Sequence, residues 1–172
     1  DTIQSRGLGD VYKRQVPGSL LIIGGGIIGL ELGQVYSTLG TDVSVVEYMP
    51  SLIPGADDDI AKPLIRKLKK HFKSIMLSSK VTNVDVGFEE GVRVSIESNN
   101  EIKDQVYDKV LVSIGRKPNT KLLSLENTDI KIDSKGFIIV DDYQKTSVKG
   151  VYAIGDIAGN PMLAHKATHE GK

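Results

Sequence analysis

Three glycines and one glutamate carry the first chemistry legible in this chain. Gly24, Gly26 and Gly29 are spaced GxGxxG, the apolar run Leu20-Leu21-Ile22-Ile23 precedes them, and Val43-Ser44-Val45-Val46-Glu47 follows. Strand, glycine turn, helix and a second strand ending in an acid about 20 residues on is the dinucleotide-binding fingerprint. Each position has its own role. Gly24 permits the tight turn, Gly26 lets backbone approach a pyrophosphate, and Gly29 lets the helix pack closely on the strand. The helix start offers unpaired N–H groups and about half a positive charge to phosphates. Glu47 is placed to accept hydrogen bonds from ribose hydroxyls, and its charge repels a 2′-phosphate. No arginine follows in Tyr48-Met49-Pro50, so the expected ligand is NAD and not NADP.

A second constellation lies downstream. Thr146 and Val151-Tyr152-Ala153-Ile154-Gly155-Asp156 form the pattern TxxxxxxAxGD. A strand ending in glycine lets backbone approach a ligand and presents Asp156 at its tip, where it can accept from a ribityl hydroxyl of a flavin. Strand-Gly-Asp also occurs in ordinary turns, so the pattern gains weight from the fingerprint upstream. Other residues that invite chemistry have plainer readings. The cations of Arg66 to Lys73 lie opposite an apolar helical face and read as a solvated surface. His165 and His169 are one turn apart, but HExxH is absent and no third ligand is evident, so no metal is expected. Gly29 and Gly33 form GxxxG, read as helix-on-sheet packing and not as a membrane dimer motif.

The elements that must position these residues follow from periodicity. Ser19 to Ile23 suits a strand buried on both faces, Ile27 to Leu39 a helix closed by Gly40, and Thr41 to Glu47 a second strand. Asp57, Asp58 and Asp59 supply an acidic helix start, with Ile60, Leu64, Ile65, Leu68 and Phe72 as its apolar face. Pro63 implies either a start near Lys62 or a kinked first turn. The period then shifts to two: Val81 to Val86, Val92 to Glu97 and Ile102 to Val106 are expected as a β-meander. Lys109 to Ile114 reads as a buried strand, Phe137 to Val140 and Gly150 to Ile154 as two more, and Met162 onward as a helix start. The expected fold class is α/β: a Rossmann-like NAD-binding domain with a β-meander over residues 16–117 and, as a family resemblance implies, the incomplete return segment of an FAD-binding domain over 118–172.

Residues 1–15 do not belong to this pattern. Ser5 to Gln15 matches, residue for residue, the translation of a transposase-based sequencing adapter, so 1–15 is read as adapter-derived or disordered and non-native. Without it the chain keeps 19 basic and 20 acidic side chains. That balance leaves no electrostatic footprint for nucleic acid or an anionic membrane. No apolar run approaches about 18 residues and no secretory signal is visible, so a cytoplasmic location is expected. The chain has no cysteine, which excludes a disulfide scaffold or zinc–thiolate site within it.

From Val16 to Lys172 the chain resembles the dihydrolipoyl dehydrogenases of the class I pyridine nucleotide-disulfide oxidoreductase family. Gly24 to Gly33 (GGGIIGLELG), Ser113 to Asn119 (SIGRKPN) and Gly155 to Gly171 (GDIAGNPMLAHKATHEG) carry the likeness. The resemblance implies that Gly24, Gly25, Gly26, Ile27, Ile28, Gly29, Glu47, Val81, Ser113, Ile114, Gly115 and Arg116 contact NAD. It implies that Asp156, Met162, Leu163, Ala164 and His165 contribute to the FAD site, the helix near Ala164 aiming its positive end at the flavin. Glu31 either pairs with a flavin-side lysine near the nicotinamide or is an exposed helical acid. The family's redox cysteine pair, first FAD-binding glycine turn and C-terminal His-Glu pair fall outside this stretch, so the chain reads as an internal, inactive fragment of an enzyme. The implied partners are the lipoyl domain of 2-oxo acid dehydrogenase complexes or the glycine cleavage protein, and a second copy in a homodimer. Alternatives are glutathione reductase, mercuric reductase or a soluble transhydrogenase, or, from another class, a non-catalytic nucleotide-binding redox sensor.

Overall fold

The structure, a computed structural model, describes residues 16–88 and 91–172; the adapter-like segment lies outside the described residues. The chain forms two compact units that divide after Gly115.

In the first unit β1 (Ser19–Ile23), β2 (Asp42–Val46), β3 (Ser74–Met76) and β7 (Lys109–Val112) form a parallel sheet of order β3-β2-β1-β7. Strands buried on both faces need an apolar cover on each side. On one face Leu20, Ile22, Val43 and Val45 cluster with Leu30 of α1 (Ile27–Thr38), Leu68 of α2 (Asp58–His71) and Phe72. On the other, Leu21 and Val46 cluster with Val94, Ile96 and Tyr107 of an antiparallel meander, β4 (Ser79–Phe88), β5 (Gly91–Ser98) and β6 (Glu101–Tyr107). Leu21 and Ile22, adjacent in sequence, point to opposite faces and are both fully buried, each contributing roughly 1.5–3 kcal/mol. The parallel sheet is thus a slab with helices on one side and a β-sheet on the other. Its glycine turn, between β1 and α1, opens at the carboxyl ends of the strands, where α/β folds place ligands.

Several expectations are corrected here. α2 begins at Asp58, not near Lys62, with Asp57 as its N-cap and Pro63 inside it. At the sixth helical position proline forfeits one bond, to the carbonyl of Asp59, and the remaining turns hold the helix. Ile60 is exposed and Ala61 is buried in its place. The inward stripe is therefore 61, 64, 65, 68 and 72, a better helical period than one starting at Ile60. The edge strand β3 went unread because three residues carry no period. The meander strands run one to two residues past their expected ends, and β7 stops at Val112.

The second unit, 116–172, holds three short 3-10 turns (Lys121–Leu123, Leu125–Asn127, Gly155–Ala158) and α3 (Ala164–Glu170). The runs 137–140 and 150–154 are not strands. Each makes one isolated antiparallel bridge, Ile132 with Ile138 and Lys145 with Tyr152. In these runs the amides go to scattered partners, Phe137 to the Asp133 side chain, Ile138 to the Ile157 carbonyl and Ala153 to the Gln144 carbonyl, and aspartates tie the turns beside them. Asp133 accepts from the N–H of Lys135 (2.8 Å) and Phe137 (2.9 Å), and Asp141 from Tyr143 and Lys145, both at 2.9 Å. These are Asx turns, which compete locally with extended pairing. Among the described residues no helix is long and apolar enough to cross a membrane.

Candidate functional site

The glycine turn is tied to every element around it. The Gly24 N–H donates to the Val46 carbonyl at 2.8 Å, and the Ile53 N–H donates to the Gly25 carbonyl at 2.9 Å. Ser113, just past β7, donates its N–H to the Ile23 carbonyl at 2.8 Å, and its hydroxyl lies 3.1 Å from the carbonyls of both Ile23 and Gly24. Gly24 has φ +104°, and a Cβ there would come within 2.5 Å of the Ser113 carbonyl oxygen. A Cβ on Gly29 would meet Ile22 at 2.9 Å and the Gly24 carbonyl at 2.6 Å, so this glycine sets the approach of α1 to β1.

Gly26 is different. Its backbone is extended (φ −78°, ψ 177°), which any residue adopts, and a Cβ there would meet no atom within 4 Å. Nothing inside the protein requires glycine at this position. Gly26 is also the N-cap of α1, whose start carries no side-chain cap and no acid in its first turn. An uncapped, acid-free helix start beside open space has unpaired N–H groups that an anion would satisfy. The residues present therefore fit the pyrophosphate of a dinucleotide. Ile27 and Ile28 are exposed on the first turn, and Glu31 is exposed on the same helix with no ion pair among the described residues.

Glu47 lies one residue beyond β2 and is buried, 7% exposed. Its Oε2 accepts from the Gly25 N–H at 2.6 Å and its Oε1 from the Met49 N–H at 2.7 Å. The carboxylate therefore fixes the glycine turn to the loop after β2, a second role the sequence did not reveal. Each oxygen keeps a further lone pair for an incoming hydroxyl. The backbone of Glu47 joins β3 and β4 as well: its N–H donates to Met76 at 2.8 Å and its carbonyl accepts from Ser79 at 3.0 Å. Val81, two residues along β4, is half-buried against the meander cluster. Ile114 and Gly115 follow Ser113 as exposed residues, Gly115 with φ +137°.

In the second unit, Gly155 and Asp156 open a 3-10 turn and not the tip of a strand. Thr146 closes the preceding turn: its N–H and hydroxyl both meet the Val151 carbonyl at 3.0 Å, and its Oγ1 accepts from the Val148 N–H at 3.1 Å. Asp156 is ion-paired with Arg116 at 2.6 Å, so the structure brings together two residues that the sequence assigned to different cofactors. The Asp156 carboxylate, partly open to solvent, is an acceptor that the hydroxyls of a flavin's ribityl chain would fit. Met162 and Leu163 lead into α3, Ala164 and His165 are exposed on its first turn, and His169 is exposed one turn on. Sequence reasoning missed Lys166 and Glu170, whose side chains are 16% and 11% exposed and paired at 2.8 Å. Their signal was an i,i+4 charge pair on a short helix, indistinguishable in sequence from a surface pair.

A parallel sheet with a glycine turn, an acid at the second strand and a meander as third layer gives the first unit a Rossmann-type α/β fold. The chain belongs to the pyridine nucleotide-disulphide oxidoreductase family, whose model matches residues 5–171, a family that uses FAD and a pyridine nucleotide. It is 49% identical over 159 residues to a dihydrolipoyl dehydrogenase of Vibrio cholerae, covering 92% of this chain and 33% of that protein. It is 44% identical over 161 residues to one of Thermus scotoductus, covering 91% and 34%. Among solved structures it is similar to the HOCl-induced flavoprotein disulfide reductase of Escherichia coli, with TM-score 0.81 and 28% identity over 94% of this chain and 36% of that one. LpdA of Mycobacterium tuberculosis matches with TM-score 0.79 and 28% identity over 91% and 33%. The chain thus spans about a third of the length of the curated relatives it matches.

Proposed function

We propose that the protein to which this chain belongs is a dihydrolipoyl dehydrogenase that reoxidises protein-bound dihydrolipoamide with NAD as acceptor. The observation that carries the reading is identity near one half to dihydrolipoyl dehydrogenases across nine-tenths of this chain, and the open space at Gly26 supports it. When bound, FAD and NAD supply the redox chemistry, relaying an electron pair from the dithiol to the nicotinamide. The chain's own residues bind and orient. Gly24 to Gly29 and the start of α1 would hold the pyrophosphate, Glu47 the adenosine ribose, and Val81 with Ser113 to Arg116 the remaining wall. Asp156 and Met162 to His165 would form part of the flavin site, and Glu31 would face the nicotinamide side. Glu47 supports NAD over NADP, because a fixed anion repels a 2′-phosphate.

The redox cysteines and the catalytic His-Glu pair would come from outside this stretch, so the 172-residue chain alone should be inactive and carry no flavin. The proposal extends to a cytoplasmic homodimer serving the lipoyl domain of a 2-oxo acid dehydrogenase complex or the glycine cleavage protein. The test is NADH formation, followed by absorbance, when the full-length protein meets dihydrolipoamide. Rapid turnover with NAD is the expected result. Turnover only with NADPH and a glutathione or mercuric substrate, or transhydrogenation without any thiol, would replace the reading with one of those activities.

A further inference from the structure

Lys166 and Glu170 stand one turn apart on the buried side of α3, and both reach the same glycine. Glu170 Oε2 accepts the Gly155 N–H at 2.7 Å, and Lys166 Nζ donates to the Gly155 carbonyl at 3.1 Å. The two side chains then close the ring with their own ion pair at 2.8 Å. Gly155 itself is buried with φ +75°, and a Cβ there would meet Ala167 at 3.1 Å. Helix and turn thus touch with only the Ala167 methyl between them, and both polar backbone groups of the glycine are taken by charged partners from the helix.

A nearly buried ion pair is a costly way to gain stability, since desolvation offsets much of the attraction unless further hydrogen bonds satisfy both ions. Here the further bonds go to one peptide position, and the residue after it is Asp156. Charge-assisted bonds to backbone are short and directional. Two of them on one glycine fix both the place and the rotation of the peptide groups that launch Asp156.

We propose that Lys166 and Glu170 are positioning residues: a charged clamp that locks the Gly155 turn to α3 and so holds Asp156 and the first turn of α3 in fixed register for the flavin. The proposal rests on the reading of Asp156 and α3 as flavin-site residues. A lysine and a glutamate that need touch no cofactor thereby keep two cofactor-facing segments together.

The test is made on the full-length protein labelled with 15N-glycine, as wild type and as Lys166→Met, Lys166→Arg and Glu170→Gln. Two readouts are taken: the Gly155 amide resonance with its hydrogen-exchange rate, and the dissociation constant and visible spectrum of FAD. Lys166→Met should shift and deprotect the Gly155 amide and weaken FAD by about tenfold or more, the scale of one charged hydrogen bond. Lys166→Arg, which keeps charge and donor, should restore both. Glu170→Gln keeps an acceptor for the Gly155 N–H and loses the ion pair, so it should fall between. An unmoved Gly155 amide in Lys166→Met and Glu170→Gln overturns the clamp. A moved amide with unchanged FAD affinity and spectrum overturns the positioning role. If the wild-type protein binds no FAD while the amide responds as described, the flavin reading fails and the clamp stands.

Discussion

The two units hold their glycine turns by different means. In residues 16–115 the turn after β1 is framed by strand ladders and by two apolar clusters, one on each face of the sheet. Glu47, its one buried carboxylate among the described residues, is bound by backbone amides. In residues 116–172 the Gly155 turn is held by side chains, the Lys166–Glu170 clamp and the Arg116–Asp156 pair. Buried apolar area is non-directional and indifferent to protons, whereas a charge-assisted bond is directional and titrates. A glycine turn is thus held once by packing and once by electrostatics. The two units should therefore fail under different perturbations.

The largest effect is expected from packing. Leu21→Ala, in the fully buried centre of β1, should cost the first unit about 2–5 kcal/mol in denaturant unfolding. A loss below about 1 kcal/mol would mean that β1 is not the core strand. Next comes Glu47→Ala, which removes an anion bound by two amides. NADH affinity measured by calorimetry should drop by about 1–3 kcal/mol, and the preference over NADPH should shrink. Smaller again is an acid effect confined to the second unit. The Lys166 ammonium, and then the Gly155 N–H, hold the Glu170 carboxyl below its usual range, while the backbone amides of Lys145 and Tyr143 do so for Asp141. Both native values are depressed. Their stabilisation is thus complete above the unfolded values, near about 4, and is lost as pH falls through the lowered native ones. Urea midpoints of the second unit should fall in that acid window, and Glu170→Gln should flatten the fall; an unchanged slope would show that Glu170 plays no part in it. The smallest is Ile60→Ala: at 69% exposure it should change stability by less than about 0.5 kcal/mol, and a core-sized loss would restore Ile60 to the inward face of α2.

Legibility follows the same division. Where packing decides, period and glycine spacing report it: β1, α1, β2 and the meander stand within a residue or two of their expected bounds, because a buried face imposes a repeat. Where side chains bond to backbone, no repeat is written. Phe137 to Val140 reads as a strand from composition alone, and only the fold shows that Asp133 has already claimed the amides of Lys135 and Phe137. The site divides likewise. Gly24, Gly26 and Gly29 could be given separate roles from spacing because each role is steric. That Glu47 also anchors Gly25 and Met49, that Arg116 meets Asp156, and that Lys166 and Glu170 meet at Gly155 depend on long-range geometry that spacing does not encode.

The dinucleotide site stands or falls on Gly26 being glycine for the sake of a ligand and not for the fold. Gly26→Val measures this directly, by calorimetric titration of NADH and by thermal unfolding on the same samples. The unfolding midpoint should stay near wild type, since the open space and extended backbone at Gly26 accept a side chain. NADH affinity should fall by about a hundredfold or more, or about 2.7 kcal/mol. Near-wild-type NADH binding by the folded variant would contradict the assignment and move the phosphate site away from the turn at Gly24 to Gly29.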